Sequence, residues 1–284
     1  MLEIALFFAL SIAFMSGISS IIHRHVLKDE DPIAYALAFQ IFSALFFIPL
    51  FAIEWSFPTT WEAWFLAIIA SILWAAIGIV GFTSYKFAEV SLRSPIGRSK
   101  VLWIIIFAAL LIGEAITANK LLGGLLIFIG VVIVTLKLDK PLGGFGDVGV
   151  KLTLISALMG AMVAIVDKTA MSYFQPGLYG FIQYLLPTIW LWMAIPQRTE
   201  KVKRLLTKGK GKWVIITSLL ATIWTWMLFR TYQLADVSLI APVLELSVII
   251  AAVGGIVLLG ERKDILRKIV GAIIVIMGVI IVGS

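Results

Sequence analysis

Apolar residues in this chain come in long runs separated by short polar punctuation. Runs such as VLWIIIFAALLIG and VIIAAVGGIVLLG are apolar on every face of a helix. A lipid-facing barrel strand would instead alternate apolar and polar residues. About 20 apolar residues in helical form cross a hydrocarbon core of about 30 Å. The pattern predicts ten such helices, over 2–22, 33–53, 63–84, 91–112, 119–137, 152–172, 177–196, 213–233, 238–259 and 267–283. The expected fold class is therefore all-α integral membrane. The connections leave no room for a soluble domain. The first run has no basic residues before it and is longer than a signal-peptide core, so it reads as a retained helix.

The punctuation itself repeats. Tyr85, Ser91, Leu92, Pro95, Gly113 and Glu114 recur 147 positions later as Tyr232, Ser238, Leu239, Pro242, Gly260 and Glu261. Nearer the start, Arg24, Pro32 and Tyr35 recur 144 positions later as Lys168, Pro176 and Tyr179. The chain thus divides into two related units, 1–140 and 141–284, each with five predicted helices. An odd number of crossings makes the second unit enter the membrane from the opposite side. That is an inverted-topology repeat, an arrangement of many secondary transporters, whose solute sites lie between the repeats near the midplane.

Composition agrees: 61% of the 284 residues are hydrophobic, 14% are charged and mean hydropathy is +1.08. The formal charge of +7 sits mostly in loops on one side, including Arg24, Lys28, Arg93, Lys137, Lys140, Lys151, Arg262, Lys263 and the stretch from Arg198 to Lys212. Cytoplasmic loops carry such an excess. The expectation is a multi-pass protein of the cell membrane with basic loops cytoplasmic and both termini outside. The charge then needs no nucleic-acid partner, and the lipid bilayer is its natural surroundings. Without cysteine there is no disulfide, thiolate metal site or cysteine nucleophile.

The paired pattern, a tyrosine at a helix end, Ala-Glu/Asp-Val-Ser-Leu, a proline three residues on and Gly-Glu at the far end, resembles the EamA-like branch of the drug/metabolite transporter superfamily. The resemblance runs over nearly the whole chain and implies a ten-helix carrier made of two five-helix units. Members of that superfamily carry solutes as different as amino acids, drugs, nucleotide sugars and sugar phosphates, so it implies transport without naming a solute. Arg98 and Lys100 depart from the family pattern, which has apolar or small residues there. That speaks against a purely apolar drug site.

Charge inside a membrane needs a partner, a cavity or a route to the interface. Arg98, Lys100 and Glu245 are the clearest cases. Counted from the predicted helix starts at Leu92 and Leu239, the backbones of Arg98 and Glu245 each lie about 9 Å in from opposite faces. That leaves roughly 12 Å of depth between them. Three roles stay open for the pair: gripping opposite charges of a solute, locking the halves as a salt bridge, or breaking as a gate. A guanidinium suits a solute carboxylate because it donates two parallel bonds. Glu245, the one acidic residue this reading puts deep in the membrane, is the first candidate to carry a coupling proton.

Arg230 is a further candidate, close to the end of the eighth helix. Tyr85, Trp103, Trp224, Trp226 and Tyr232 could wall a cavity, with Gln40 and Gln183 as weaker polar candidates. Glu114 and Glu261, at helix ends, read as structural. Gly123, Gly124, Gly271, Gly278 and Gly283 predict close packing of the fifth and tenth helices, within the chain or against a second copy.

The leading function is a secondary transporter, expected to export a small polar or zwitterionic metabolite such as an amino acid by alternating access. Organic anions or phosphorylated solutes are the alternative within that class, and a non-transporting scaffold the alternative outside it. No HExxH, GxSxG or acidic metal cluster is present, so neither enzyme chemistry nor a cofactor is expected. His23 and His25, two residues apart, point to different faces of a helix, which is poor geometry for shared metal ligation.

Overall fold

The computed structural model describes residues 1–27, 30–87, 96–135, 148–194, 198–207, 211–258 and 265–283, side chains 24, 32, 79, 81–87, 194, 198, 255 and 258 excepted. Several positions singled out in the sequence fall outside the described residues: Arg93, Pro95, Glu261, the Arg24 and Tyr85 side chains and several loop lysines. Among the described residues every regular element is a helix. In order the helices are α1 (Leu2–Leu27), α2 (Pro32–Ile53), α3 (Trp61–Phe87), α4 (Lys100–Ile112), α5 (Ala118–Thr135) and α6 (Val148–Ala170). They continue as α7 (Pro176–Ala194), α8 (Arg198–Thr207), α9 (Gly211–Leu234), α10 (Val237–Leu244), α11 (Leu246–Leu258) and α12 (Ile265–Gly283).

Eight stretches among the described residues are long and apolar enough to cross a membrane, with α10 and α11 counted as one. The fourth predicted span falls on the 13-residue α4, whose approach lies outside the described residues. The seventh falls on α7, which carries Gln183, Tyr184 and Pro187. Burial runs opposite to a soluble protein. Ala5, Ala9, Ala63, Ala67 and Ala70 are buried, while Phe7, Leu10, Phe14, Phe65 and Ile72 are exposed. Small residues let helices approach, and large apolar side chains face hydrocarbon.

Local chemistry sets the helix ends. Asp31 caps α2, its Oδ1 accepting from the N–H groups of Ile33 at 2.8 Å and Ala34 at 3.3 Å, with Pro32 in the first turn where no donor is needed. Gly113 ends α4 in the left-handed conformation, φ 69°. Glu114 then reaches the next half of the chain, accepting from Val237 N–H at 2.8 Å and Ser238 N–H at 2.9 Å. It supplies the start of α10 with the carboxylate that Asp236 does not provide to its own helix. Glu54 does the same for α7, accepting from Gly177 N–H at 2.7 Å and from the Trp226 indole at 2.9 Å.

Helix pairing follows the repeat. α3 packs on α6 as α9 packs on α1, α4 on α6 as α11 on α1, and α2 on α9 as α7 on α3. The most extensive pairing, α5 with α12, is reciprocal in detail. A Cβ on Gly123 would meet Gly278 O at 2.6 Å, and one on Gly278 would meet Gly123 O at 2.7 Å. Gly130 and Gly271 face each other in the same way, each 2.7 Å from the other's carbonyl. The order along the two helices is antiparallel. Of the two partners open to this glycine face, the one found is within the chain.

Candidate functional site

A cavity of about 200 Å³ lies between α3, α4 and α6, bounded by Trp74, Ile77, Gly97, Lys100, Thr153, Ser156, Ala157 and Gly160. Lys100 is the charged residue in this wall. Its aliphatic stem rests on Gly160, where a Cβ would come within 2.9 Å of Lys100 Cδ. Glycine at 160 is thus what lets a long side chain lie along α6. Lys100 is within electrostatic reach of Glu245, Arg98 and Asp167.

Beside the cavity the helices are broken at matching points. Ser99 N–H donates to Ile96 O and Leu102 N–H to Ser99 O, at 3.1 and 3.0 Å. Glu245 N–H donates to Pro242 O and Val248 N–H to Glu245 O, also at 3.1 and 3.0 Å. These tighter turns separate α10 from α11 and precede α4. They bring Arg98 Nη1 within 2.8 Å of Glu245 Oε2. The two residues are counterparts in the repeat, so they meet where the two halves meet. The depth of roughly 12 Å expected between their backbones is bridged by direct contact. Helix breaks and long side chains close a gap that a count along straight helices leaves open. The Glu245 side chain is 9% exposed and that of Arg98 39%.

Glu245 is not the only acidic residue inside. Asp167 is 2% exposed, and its Oδ1 accepts from the Tyr179 hydroxyl at 2.6 Å. The Trp74 indole lies close to it as well. In the sequence Asp167 is disguised by its place three residues from the end of α6, beside Lys168. One signal was available. Thr153, Ala157, Gly160, Ala164 and Asp167 follow one another at spacings of four and three, which puts them on one helix face, and all are buried.

The remaining candidates are dispersed. Trp103 is partly buried and packs near Phe107. Tyr232 is buried, and its carbonyl, with that of Ala235, accepts from Lys168 Nζ at the end of α9. Arg230 is exposed and donates to Gln233 Oε1 at 2.6 Å. Gln40 accepts from the Thr188 hydroxyl at 3.2 Å on the α2–α7 contact, and Gln183 donates to Ala67 O at 3.1 Å. None of these lines the cavity. Lys120, at the same end of the molecule as Lys168, pairs with Asp236 at 2.7 Å. Among the described residues no cluster of three potential metal ligands occurs.

No curated protein matches the chain. One solved structure, a crystal structure described only as that of a protein, has a TM-score of 0.77 at 12% identity, with 98% of this chain and 98% of that one covered. At such identity the likeness concerns the fold. The EamA-like transporter family model matches residues 3–136 and again residues 147–284. With a helical membrane architecture, a duplicated motif and a family match over both halves, the chain belongs to the EamA-like transporter family, whose members are membrane transporters and not enzymes.

Proposed function

We propose that this protein is a ten-helix secondary transporter built from inverted units over 1–140 and 141–284. It moves a small zwitterionic or anionic metabolite by alternating access through the cavity at Lys100. The observation that carries this reading is a cationic side chain in the wall of a cavity between the halves, beside an ion pair at two helix breaks. Discontinuous helices with exposed backbone are a recurrent way to build a solute site in such folds. The antiparallel, reciprocal contact of α5 with α12 supports inversion, because a two-fold relation between antiparallel helices has its axis across them.

In this mechanism Lys100 takes the solute carboxylate. The Arg98–Glu245 pair closes the space between the halves and opens as the solute passes, which frees Glu245 to face an ammonium group. A described wall with a cation and no carboxylate also favours a second reading, an organic anion or phosphorylated solute that needs Lys100 alone. We place the basic loops in the cytoplasm and both termini outside the cell membrane.

The test is counterflow in proteoliposomes with radiolabelled L-alanine, L-glutamate, glycerol 3-phosphate and tetraphenylphosphonium. Uptake of an amino acid or the phosphate ester, lost in a folded Lys100→Met variant, supports the reading. Movement of the lipophilic cation alone, or full activity in Lys100→Met, refutes it.

A further inference from the structure

Asp167 has no part in solute contact, and its surroundings suit a different ligand. The carboxylate is sealed off, 2% exposed, and does not belong to the cavity wall. It continues the cavity-facing stripe of α6 two turns beyond Gly160, about 10 Å along the helix. No cation lies within ion-pair distance of it among the described residues. The groups that face it are Tyr179 from α7, Trp74 from α3, Tyr232 from α9 and, farther off, Lys100 from α4. Two are phenols and one is an indole, and all of these can donate to a carboxylate without carrying charge. Its sequence neighbour Lys168 is turned away to the carbonyls of Tyr232 and Ala235. A carboxylate this deeply buried, bonded by a neutral phenol and without an ion-pair partner among the described residues, is suited to bind a proton.

Trp74 joins the two sites, since it lines the cavity and its indole lies beside the Asp167 carboxylate. Lys100 joins them electrostatically. We propose that the Asp167 carboxyl takes up and releases the proton that moves with the solute. In the empty state the Asp167 carboxylate balances the Lys100 ammonium across the cavity. When a solute carboxylate reaches Lys100, that balance is supplied by the solute, and Asp167 binds one proton at the oxygen not held by Tyr179. Release of the solute restores the first pairing and returns the proton to the same side. One proton and one solute thus cross together, and the net direction follows their combined gradients. This rests on the transport reading above.

The decisive measurement is infrared difference spectroscopy on the full chain in lipid vesicles as the pH is stepped from alkaline to acidic. The wild type is expected to gain the carbonyl stretch of one buried carboxylic acid. Asp167→Glu retains that band at a displaced position, and Asp167→Asn lacks it. An unchanged band in Asp167→Asn overturns the proposal. In the same vesicles, an outside-acid gradient of about one unit is expected to drive roughly tenfold accumulation of L-alanine or L-glutamate by the wild type. Asp167→Asn is expected to keep counterflow, in which the carrier crosses loaded in both directions, but to accumulate no solute. Accumulation by Asp167→Asn, accumulation driven by the opposite gradient, or a folded Asp167→Asn that has lost counterflow also overturns it. The last result would place Asp167 on the solute. If no probe, glycerol 3-phosphate included, moves in the wild type even by counterflow, the transport reading fails. The infrared titration then decides the proton site on its own.

Discussion

The Arg98–Glu245 pair should respond unequally to loss of its two members. The contact is 2.8 Å long, but the Glu245 side chain is 9% exposed and the Arg98 side chain 39%. Breaking a fully buried pair from one side costs roughly 3–5 kcal/mol, because the remaining charge is stranded. Arg98→Gln strands a buried carboxylate. Lys100, within electrostatic reach of Glu245, offsets part of that, so about 2 kcal/mol of destabilisation is expected. Glu245→Gln leaves a guanidinium that already reaches solvent, and the new amide oxygen can still accept its hydrogen bond. About 1 kcal/mol or less follows. The double variant removes both charges and should lie nearer Glu245→Gln than Arg98→Gln, a coupling visible in a double-mutant cycle. Denaturation in detergent micelles, followed by the fluorescence of the 10 tryptophans, measures all four proteins. If Glu245→Gln is at least as damaging as Arg98→Gln, or the double variant equals the sum of the singles, the pair is not the closed contact described.

Three further outcomes are expected. Gly130→Ala would place a Cβ 2.7 Å from Gly271 O and 2.9 Å from Val275 N. It should lower stability by about 1–3 kcal/mol, whereas Gly78→Ala, with nothing nearer than 3.9 Å, should be neutral or gain up to about 1 kcal/mol of helix propensity. The same denaturation assay compares them. Glu114→Ala leaves the N–H groups of Val237 and Ser238 without their acceptor and should cost about 1–2 kcal/mol, with faster amide exchange at the start of α10. At Asp31, burial works against the carboxylate, but the N–H groups of Ile33 and Ala34 and the Lys201 ammonium outweigh it and hold the group below the usual carboxylate range. Its stabilisation is therefore full above the ordinary aspartate value of about 4 and is lost as pH falls through the lower folded value. Asp31→Ala should cost about 1 kcal/mol at neutral pH and progressively less in acid.

Much of the fold was legible because bilayer thickness constrains helix length and the duplicated motif gives the pairing a template. Arg98 and Glu245 were legible for a related reason, since charge stands out against apolar surroundings. Their contact was not. Residue counting assumes straight helices, and although Pro95 and Pro242 mark loosened helix starts, they do not say how far the turns at Ser99 and Glu245 carry the side chains. Asp167 was obscured by its place near a helix end, where charge is inexpensive. Only the small residues at 153, 157, 160 and 164 betray that its face turns inward. Trp74, Thr153 and Ser156 are ordinary residues for apolar helices, and only tertiary packing brings them to one cavity. Arg230 and Gln40 show the converse, polar residues inside predicted spans that packing takes to Gln233 and Thr188.

The cavity's most informative feature is what stands at the matching place in the other half. The α4–α6 contact holds the cavity, and the related α11–α1 contact is packed shut. A Cβ on Gly17 would lie 2.7 Å from Ile250 and 3.0 Å from Ser247 O. The repeat relates Lys100 to Ser247 and Trp74 to Ala221, so the closed contact has no cation and a smaller side chain. If alternating access exchanges the packing of the two contacts, α4 and α6 must come together over an ammonium that their counterparts do not have. Closing apolar walls on an unbalanced charge is prohibitive. The transition therefore requires an anion for Lys100. Glu245 is engaged by Arg98, which leaves a solute carboxylate or Asp167. A carrier constrained in this way closes when loaded, or when empty with Asp167 ionised, but not in a mixed state. Removing the lysine charge should then abolish solute uptake, as the counterflow test expects, and at the same time lift the bar on empty closure with Asp167 protonated.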